Sequence, residues 1–301
     1  ELFPNVDWQD EVLKDNGFTN NVNVTFHGGS KKFRYYTMLN LNGNHGFNKC
    51  GEDNPDYKTQ DQYSRGSIRS NIDLDLTSTT KLNLNILASL SEARRTGSSF
   101  AWGSNMASYS YIGVWNALYA TPASAFPVKA GKYWGGGVSS NYVLNGTYNP
   151  VAISTDAGYL RNHDRGIYVD FNLEQDLSFF VEGLGARFRL AYDNKAQYLD
   201  NYSRVYDYAY YNVNGGRAVT FDEAGNVTSA LPSLTVSADG DGNSISTSLS
   251  TDAYVWNYNR DVKIFGTVFY DKQLTDNQKL YAQVQYDFEK QDSRGVDVTY
   301  Y

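Results

Sequence analysis

Carboxylates, one thiol, three imidazoles and a dense run of aromatic rings are the groups in this chain that could do chemistry. Asp73 and Asp75 stand two residues apart, a spacing open to acid and base work, but a strand with one wet face produces it with no chemistry at all. Cys50 is alone and cannot close an internal disulfide, and His27, His45 and His163 are scattered, so no zinc spacing exists. Asp239-Gly240-Asp241-Gly242-Asn243 alternates oxygen ligands like the first half of a calcium loop. It lacks the downstream bidentate Glu, and an acidic loop tip is the better reading. Neither a Gly-X-Ser-X-Gly turn nor a phosphate loop is found, so neither catalysis nor a cofactor is expected.

The aromatic run is the best candidate. Between about Arg95 and Gly158 lie Phe100, Trp102, Tyr109, Tyr111, Trp115, Tyr119, Phe126, Tyr133, Trp134 and Tyr142. Such rings stack on sugars or pack against a partner protein; alternatively they pack the loop on itself. Trp102, Tyr109, Tyr111, Trp115, Tyr119, Tyr133, Trp134 and Tyr142 are the expected substrate or partner contacts. A helical turn or two is expected within Ser108 to Tyr119.

Strands must position these groups. Val22, Val24 and Phe26 alternate with Asn23, Thr25 and His27; after Gly28 to Lys32 the alternation resumes at Phe33, Tyr35, Thr37, Leu39 and Leu41. That is a hairpin with a tight glycine turn. Period two returns over Tyr63 to Thr77, from Leu82 to Ser91, over Asn162 to Asp176, from Leu184 to Asp193, over Val255 to Lys272 and from Leu280 to Glu289. The connections alternate short and long, with long ones at Gly43 to Gln62, Arg95 to Gly158 and Asn194 to Asp252. Short turns at one end and long loops at the other are the pattern of a transmembrane barrel. Arg69, Asp73, Asp170, Glu174, Arg187 and Glu289 oppose the apolar residues, which suits a water-filled lumen better than a dry core. Tyr168, Tyr192, Tyr270 and Tyr286 are candidates for interfacial belts. Ahead of the hairpin, Asp7 is expected to cap a short helix, Trp8 to Asn16, as a loop decoration.

Composition agrees. The chain has 301 residues, with 26 Tyr and 15 Phe, yet only 41% of residues are hydrophobic; mean hydropathy is −0.54. No run of about 18 apolar residues occurs, so a membrane could be crossed only by strands. A net charge of −7 argues against nucleic acid as a partner.

Several stretches resemble SusC/RagA-like TonB-dependent outer-membrane transporters: Asp7-Trp8 with Asp10-Glu11-Val12, then Gly28-Gly29-Ser30-Lys31-Lys32-Phe33-Arg34-Tyr35-Tyr36, Tyr63-Ser64-Arg65 and Asn149-Pro150-Val151-Ala152. The Gly-Gly hairpin is the most specific of these. Motif-level likeness covers about the first half of the chain; Asn40-Leu41 and His45-Gly46 replace the Gly-Tyr and Glu-Gly common in that family. The resemblance implies an outer-membrane importer of glycan or oligopeptide, with a SusD-like lipoprotein over the extracellular loops and TonB acting through a plug region missing here. It also implies a closed barrel of about 22 strands.

The expectation is therefore an all-β, antiparallel transmembrane barrel portion of about eight strands, an internal fragment of a larger barrel. Residues 1–20 would be an extracellular loop with a short helix, and residues 21–301 strands, short periplasmic turns and long extracellular loops. The opposing expectation is a soluble or surface β-sandwich that binds carbohydrate through its aromatic loop.

Overall fold

Alternating side chains dictate a sheet, and a sheet is what forms. The computed structural model describes residues 4–96, 114–136, 149–211, 223–224, 234–236, 244, 246–293 and 296–300. In chain order the strands are β1 (Phe18–Gly29), β2 (Phe33–His45), β3 (Gln62–Asp75), β4 (Thr80–Thr96), β5 (Lys129–Ala130), β6 (Tyr133–Gly135) and β7 (Gly158–Asp176). They continue with β8 (Leu184–Ser203), β9 (Tyr208–Tyr211), β10 (Leu234–Val236), β11 (Ser250–Thr275), β12 (Gln278–Ser293) and β13 (Val296–Tyr300). Nine of them form one antiparallel meander, β1-β2-β3-β4-β7-β8-β11-β12-β13, in chain order, with β5 and β6 leaving the sheet between β4 and β7, and β9 and β10 between β8 and β11. The short turns, at residues 30–32, 76–79, 177–183 and 276–277, share one end, and the segments 46–61, 97–157 and 204–249 leave from the other.

Every expected strand is present, and several run further toward the long-loop end. β7 starts at Gly158 rather than Asn162, and β8 continues to Ser203 rather than Asp193. Past the last apolar rows both faces carry Tyr, Arg and Asp, so hydropathy no longer alternates although the hydrogen-bonded ladder continues. β13 and the small sheet β10-β9-β6-β5 were not foreseen.

The register aligns the apolar residues into rows. Val24 faces Leu39, Leu39 faces Ile68, Ile68 faces Ala88 and Ala88 faces Ile167. Two rows nearer the short turns, Tyr35, Ile72, Leu84, Phe171, Leu190, Ile264 and Phe288 form another. This face is bare: Val284 is 78% and Leu90 63% exposed. Tyr192, Tyr270 and Tyr286 belong to it, whereas Tyr168 lies in register between Leu87 and Asp193 on the polar face and is no part of an outer belt.

The apolar stretch drifts along this register. On β2 it spans Phe33 to Leu41, centred on Thr37, and the row through Thr37 runs by Ser70, Ile86, Val169, Tyr192 and Val262 to Lys290. On β12 the stretch is instead Leu280 to Phe288, centred on Val284. The displacement from Lys290 to Val284 is about 20 Å along the strand over a sheet width of about 29 Å. A level apolar band therefore requires strands tilted by about 35°, within the range of closed barrels.

The buried core lies elsewhere, at the long-loop end. Trp8, Val12, Cys50, Ala117, Leu118, Phe126, Val151, Ile153 and Tyr206 are among its members. Helices α1 (Trp8–Val12), α2 (residues 114–120) and α3 (Pro150–Asp156) assemble it. Asp7 caps α1 as expected, accepting from the Gln9 and Asp10 amides at 3.1 Å each. The helix stops at Val12 instead of Asn16, because Leu13 turns extended to bridge Asn48 and Lys14 donates its amide to Phe47 O at 2.7 Å. It is part of the core rather than a decoration: Trp8 and Val12 are buried, and Trp8 meets Phe126 edge-on at 5.5 Å.

Candidate binding cap and polar wall

The loop cap is held together through α3. Asn149 is its N-cap, accepting from the Val151 and Ala152 amides, with Pro150 in the first turn. Its Nδ2 donates to Val128 O at 3.1 Å and Gly135 O at 2.9 Å, tying the β5–β6 hairpin to the helix. At the other end the helix leaves carbonyls without helical partners. The segment between β2 and β3 supplies donors for them: Asn48 and Thr59 to Ser154 O, Asn54 to Thr155 O, and Tyr57 OH to Asp156 O at 2.6 Å. The Asp156 carboxylate accepts from Asn54 Nδ2 at 2.8 Å and from the Trp134 indole at 2.6 Å. Gly158 follows at φ +92°, and a Cβ there would lie 2.0 Å from Tyr202 O. Only glycine brings β7 this close to β8 at the foot of the cap.

Of the expected contact residues, Trp115 and Tyr119 lie one helical turn apart on α2, their rings stacked at 6.0 Å. Tyr119 is 71% exposed. Tyr133 on β6 is half-buried, with the Lys132 ammonium 5.1 Å from its ring centroid. Trp134 is buried, its ring covered by Lys129 Nζ and its N–H committed to Asp156, so it supports the surface rather than forming it. Trp102, Tyr109, Tyr111 and Tyr142 lie outside the described residues, as does Asp239 to Asn243. Asp156 and Asn149 organise the cap but are not among the expected contact residues; Asn149 entered only within the family-like stretch, although the Asn-Pro pair was a signal for a helix start.

Burial governs the cap's titrations. It pushes the Cys50 thiol up to about 11, helped by Asp53 and Glu11 and opposed by Lys49. Burial raises Tyr206 well above the usual phenol range, with Asp156 adding to it. It also raises Asp61, whose carboxylate the amide and hydroxyl of Thr96 stabilise at 3.1 and 3.2 Å. Burial lowers Lys129 against the pull of Asp156. Beside Asp61 a cleft opens between α1, α2 and the ends of β3 and β4, bordered by Leu13, Phe47, Arg94 and Trp115. It offers an aromatic face, a carboxylate and a guanidinium, chemistry for holding a polar solute or a partner loop. Among the described residues no group of three metal-ligating side chains occurs.

Below the cap, the polar face of the sheet is laced with cross-strand pairs. Arg187 joins Glu174 at 2.7 Å, Lys263 joins Glu289 at 2.9 Å, with Asp261 of its own strand at 3.3 Å, Arg189 meets Asp170, and Asn83 donates to Asp73 at 2.6 Å. The Arg187–Glu174 and Lys263–Glu289 pairs are half-exposed, and pairs of this kind contribute at most about 1 kcal/mol each. They describe a wetted wall rather than a dry interior.

The sequence matches no protein-family model and no curated protein. Among solved structures, the chain is similar to the RagAB peptide importer in its closed-closed state, at 13% identity over 97% of this chain and 27% of that chain, with a TM-score of 0.53. Similarity to the same importer in its open-open state covers 95% of this chain and 26% of that chain, at 13% identity and a TM-score of 0.50. At such identity the likeness concerns the fold: a portion of an antiparallel β-barrel of the outer-membrane kind, with long loops at one end. The chain spans about a quarter of the length of those structures.

Proposed function

We propose that the chain is a stretch of the wall and outer cap of a TonB-dependent, SusC/RagA-like importer in the cell outer membrane, taking up oligopeptide or glycan. The observation that carries this is the bare apolar band, level only if the strands tilt by about 35°, with a wetted face behind it. A soluble sandwich would cover that band with a second sheet, and exposure at Val22, Leu90 and Val284 argues against one. In this reading the apolar rows face lipid, the ion-paired face lines a watery lumen, the short turns are periplasmic and the cap is extracellular. Trp115 and Tyr119, with Trp102, Tyr109, Tyr111, Tyr133 and Tyr142, would contact solute or a SusD-like lipoprotein seated on the cap, while Trp134 braces it. TonB would act through a plug region outside these residues. The protein is a conduit, with no catalytic role. The test is electrophoretic migration of the full-length protein in detergent with and without boiling. Heat-modifiable migration is expected; a protein that is soluble without detergent and migrates alike in both states overturns the reading.

A further inference from the structure

The apolar band is not uniformly filled. On β3 and β4, where neighbouring positions carry leucine and isoleucine, Gly66 and Ala88 leave a groove bordered by Leu39, Leu41, Leu90 and Ile167. A Cβ built on Gly66 would meet only the tip of Leu41, at 3.6 Å, so the space is real and the backbone is unstrained. At the end of the groove nearer the long loops stands Arg165, in the same row as Leu90 and Ala196. This row is where the band stops: on β7 the next positions along that face are His163 and Arg161 instead of aliphatic residues.

Arg165 is exposed and stacks on Tyr198, its guanidinium carbon 4.8 Å from the ring centroid. The acids closest to it on this face are engaged elsewhere. Glu92 faces His163 at 3.5 Å and Arg94 at 4.0 Å, and Asp200 faces Arg161 at 3.4 Å and His163 at 3.5 Å. Among the described residues, no ion pair joins Arg165 to a carboxylate. A guanidinium fixed by an aromatic ring above an apolar trough presents two chemistries in a set order: hydrocarbon along the groove, then a forked donor suited to phosphate.

Resting on the membrane reading above, we infer that this groove is a binding site for a phospholipid of net negative charge, with an acyl chain along Gly66 and Ala88 and the anionic headgroup's phosphate on Arg165, and that a zwitterionic lipid, whose ammonium offsets that charge, is held less well. The complementarity of that one cation to an anionic headgroup at the band's edge favours a lipid over a protein helix as occupant. The full-length protein in micelles would be offered phosphatidylglycerol and phosphatidylcholine of identical acyl composition, and retained lipid counted by native mass spectrometry. A preference of about tenfold for phosphatidylglycerol is expected, as one charge-assisted contact supplies. Arg165→Gln should abolish the preference, and Gly66→Leu, which fills the groove, should reduce retention of both lipids. Arg34→Gln, on the polar face, should change neither. If wild type holds the two lipids equally, or Arg165→Gln keeps the preference, the site is disproved while the barrel reading stands. If the protein needs no detergent and holds neither lipid, both fall. Unaltered heat-modifiable migration of each variant identifies those that have folded, and Arg165→Gln, on an exposed position, carries the test should Gly66→Leu fail.

Discussion

Asn149 joins three segments through one side chain: it caps α3 with its oxygen and holds the β5–β6 hairpin with its nitrogen, fully buried. Asn149→Ala should therefore cost about 1–3 kcal/mol, more than an exposed cap would. The loss should show as faster amide exchange in α3 and β6, with the strands of the wall unchanged. Cys50 gives a pH signature. Its thiol donates to Glu11 O at 3.1 Å, and burial moves it from the ordinary 9.0 to about 11. The folded protein thus holds this proton more tightly than the unfolded chain does. The stabilisation is complete below pH 9 and is lost as pH rises through about 11. Cys50→Ala should flatten the fall in cap stability over that interval without removing it, since the half-buried Tyr57 and buried Tyr206 phenols are also raised. An identical alkaline slope in the variant would contradict the assignment. Asn149-Pro150 marks a helix start, but the cap contacts of Asn149 and Cys50 are not legible in the sequence. Asn149 depends on carbonyls at Val128 and Gly135, and Cys50 depends on a core closed by Trp8 and Phe126, none of which is adjacent in the chain.

At the scale of the strand, Leu84 and Asn83 are neighbours with opposite fates. Leu84 lies in the apolar row between Ile72 and Phe171, and Asn83 reaches Asp73 across the polar face. Leu84→Arg should destabilise by about 2–4 kcal/mol, and Asn83→Arg, set beside Asp73, should be tolerated. Equal tolerance in urea unfolding from micelles would remove the face assignment. This level was the most readable in advance. Leu82, Leu84, Ile86, Ala88 and Leu90 alternate with polar residues because one face meets an apolar medium, and that constraint writes itself into composition at period two. Where the medium changes the writing stops. Strand ends at Gly158 and Ser203, the two-residue pairs of β5 and the parallel contact of β6 with β9 rest on cap packing, which has no period. The tilt was legible only once the register was known, because it is a relation between apolar stretches and their partners.

At the scale of the molecule, the orientation proposed above makes the two ends of the sheet distinguishable from outside a living cell. An epitope inserted at residues 223–224, in the long segment after β9, should be stained on intact cells, and one inserted at the 276–277 turn only after permeabilisation. The reverse pattern would invert the orientation. The cap also bears on how the molecule comes together. Trp8 donates to Pro122 O across 114 residues of chain and Asn48 to Ser154 O across 106. Closing such spans is slow and entropically costly unless something else has already gathered the ends. The meander does so: short turns pair β1 with β2, β3 with β4, β7 with β8 and β11 with β12, and the β4–β7 and β8–β11 ladders hold together the ends of the long segments. The cap is therefore expected to clasp after the wall and to open first on unfolding, with amide exchange in α1 and α3 faster than in β3 and β4; equal protection would contradict that order. In that order, a closed cap reports a finished wall.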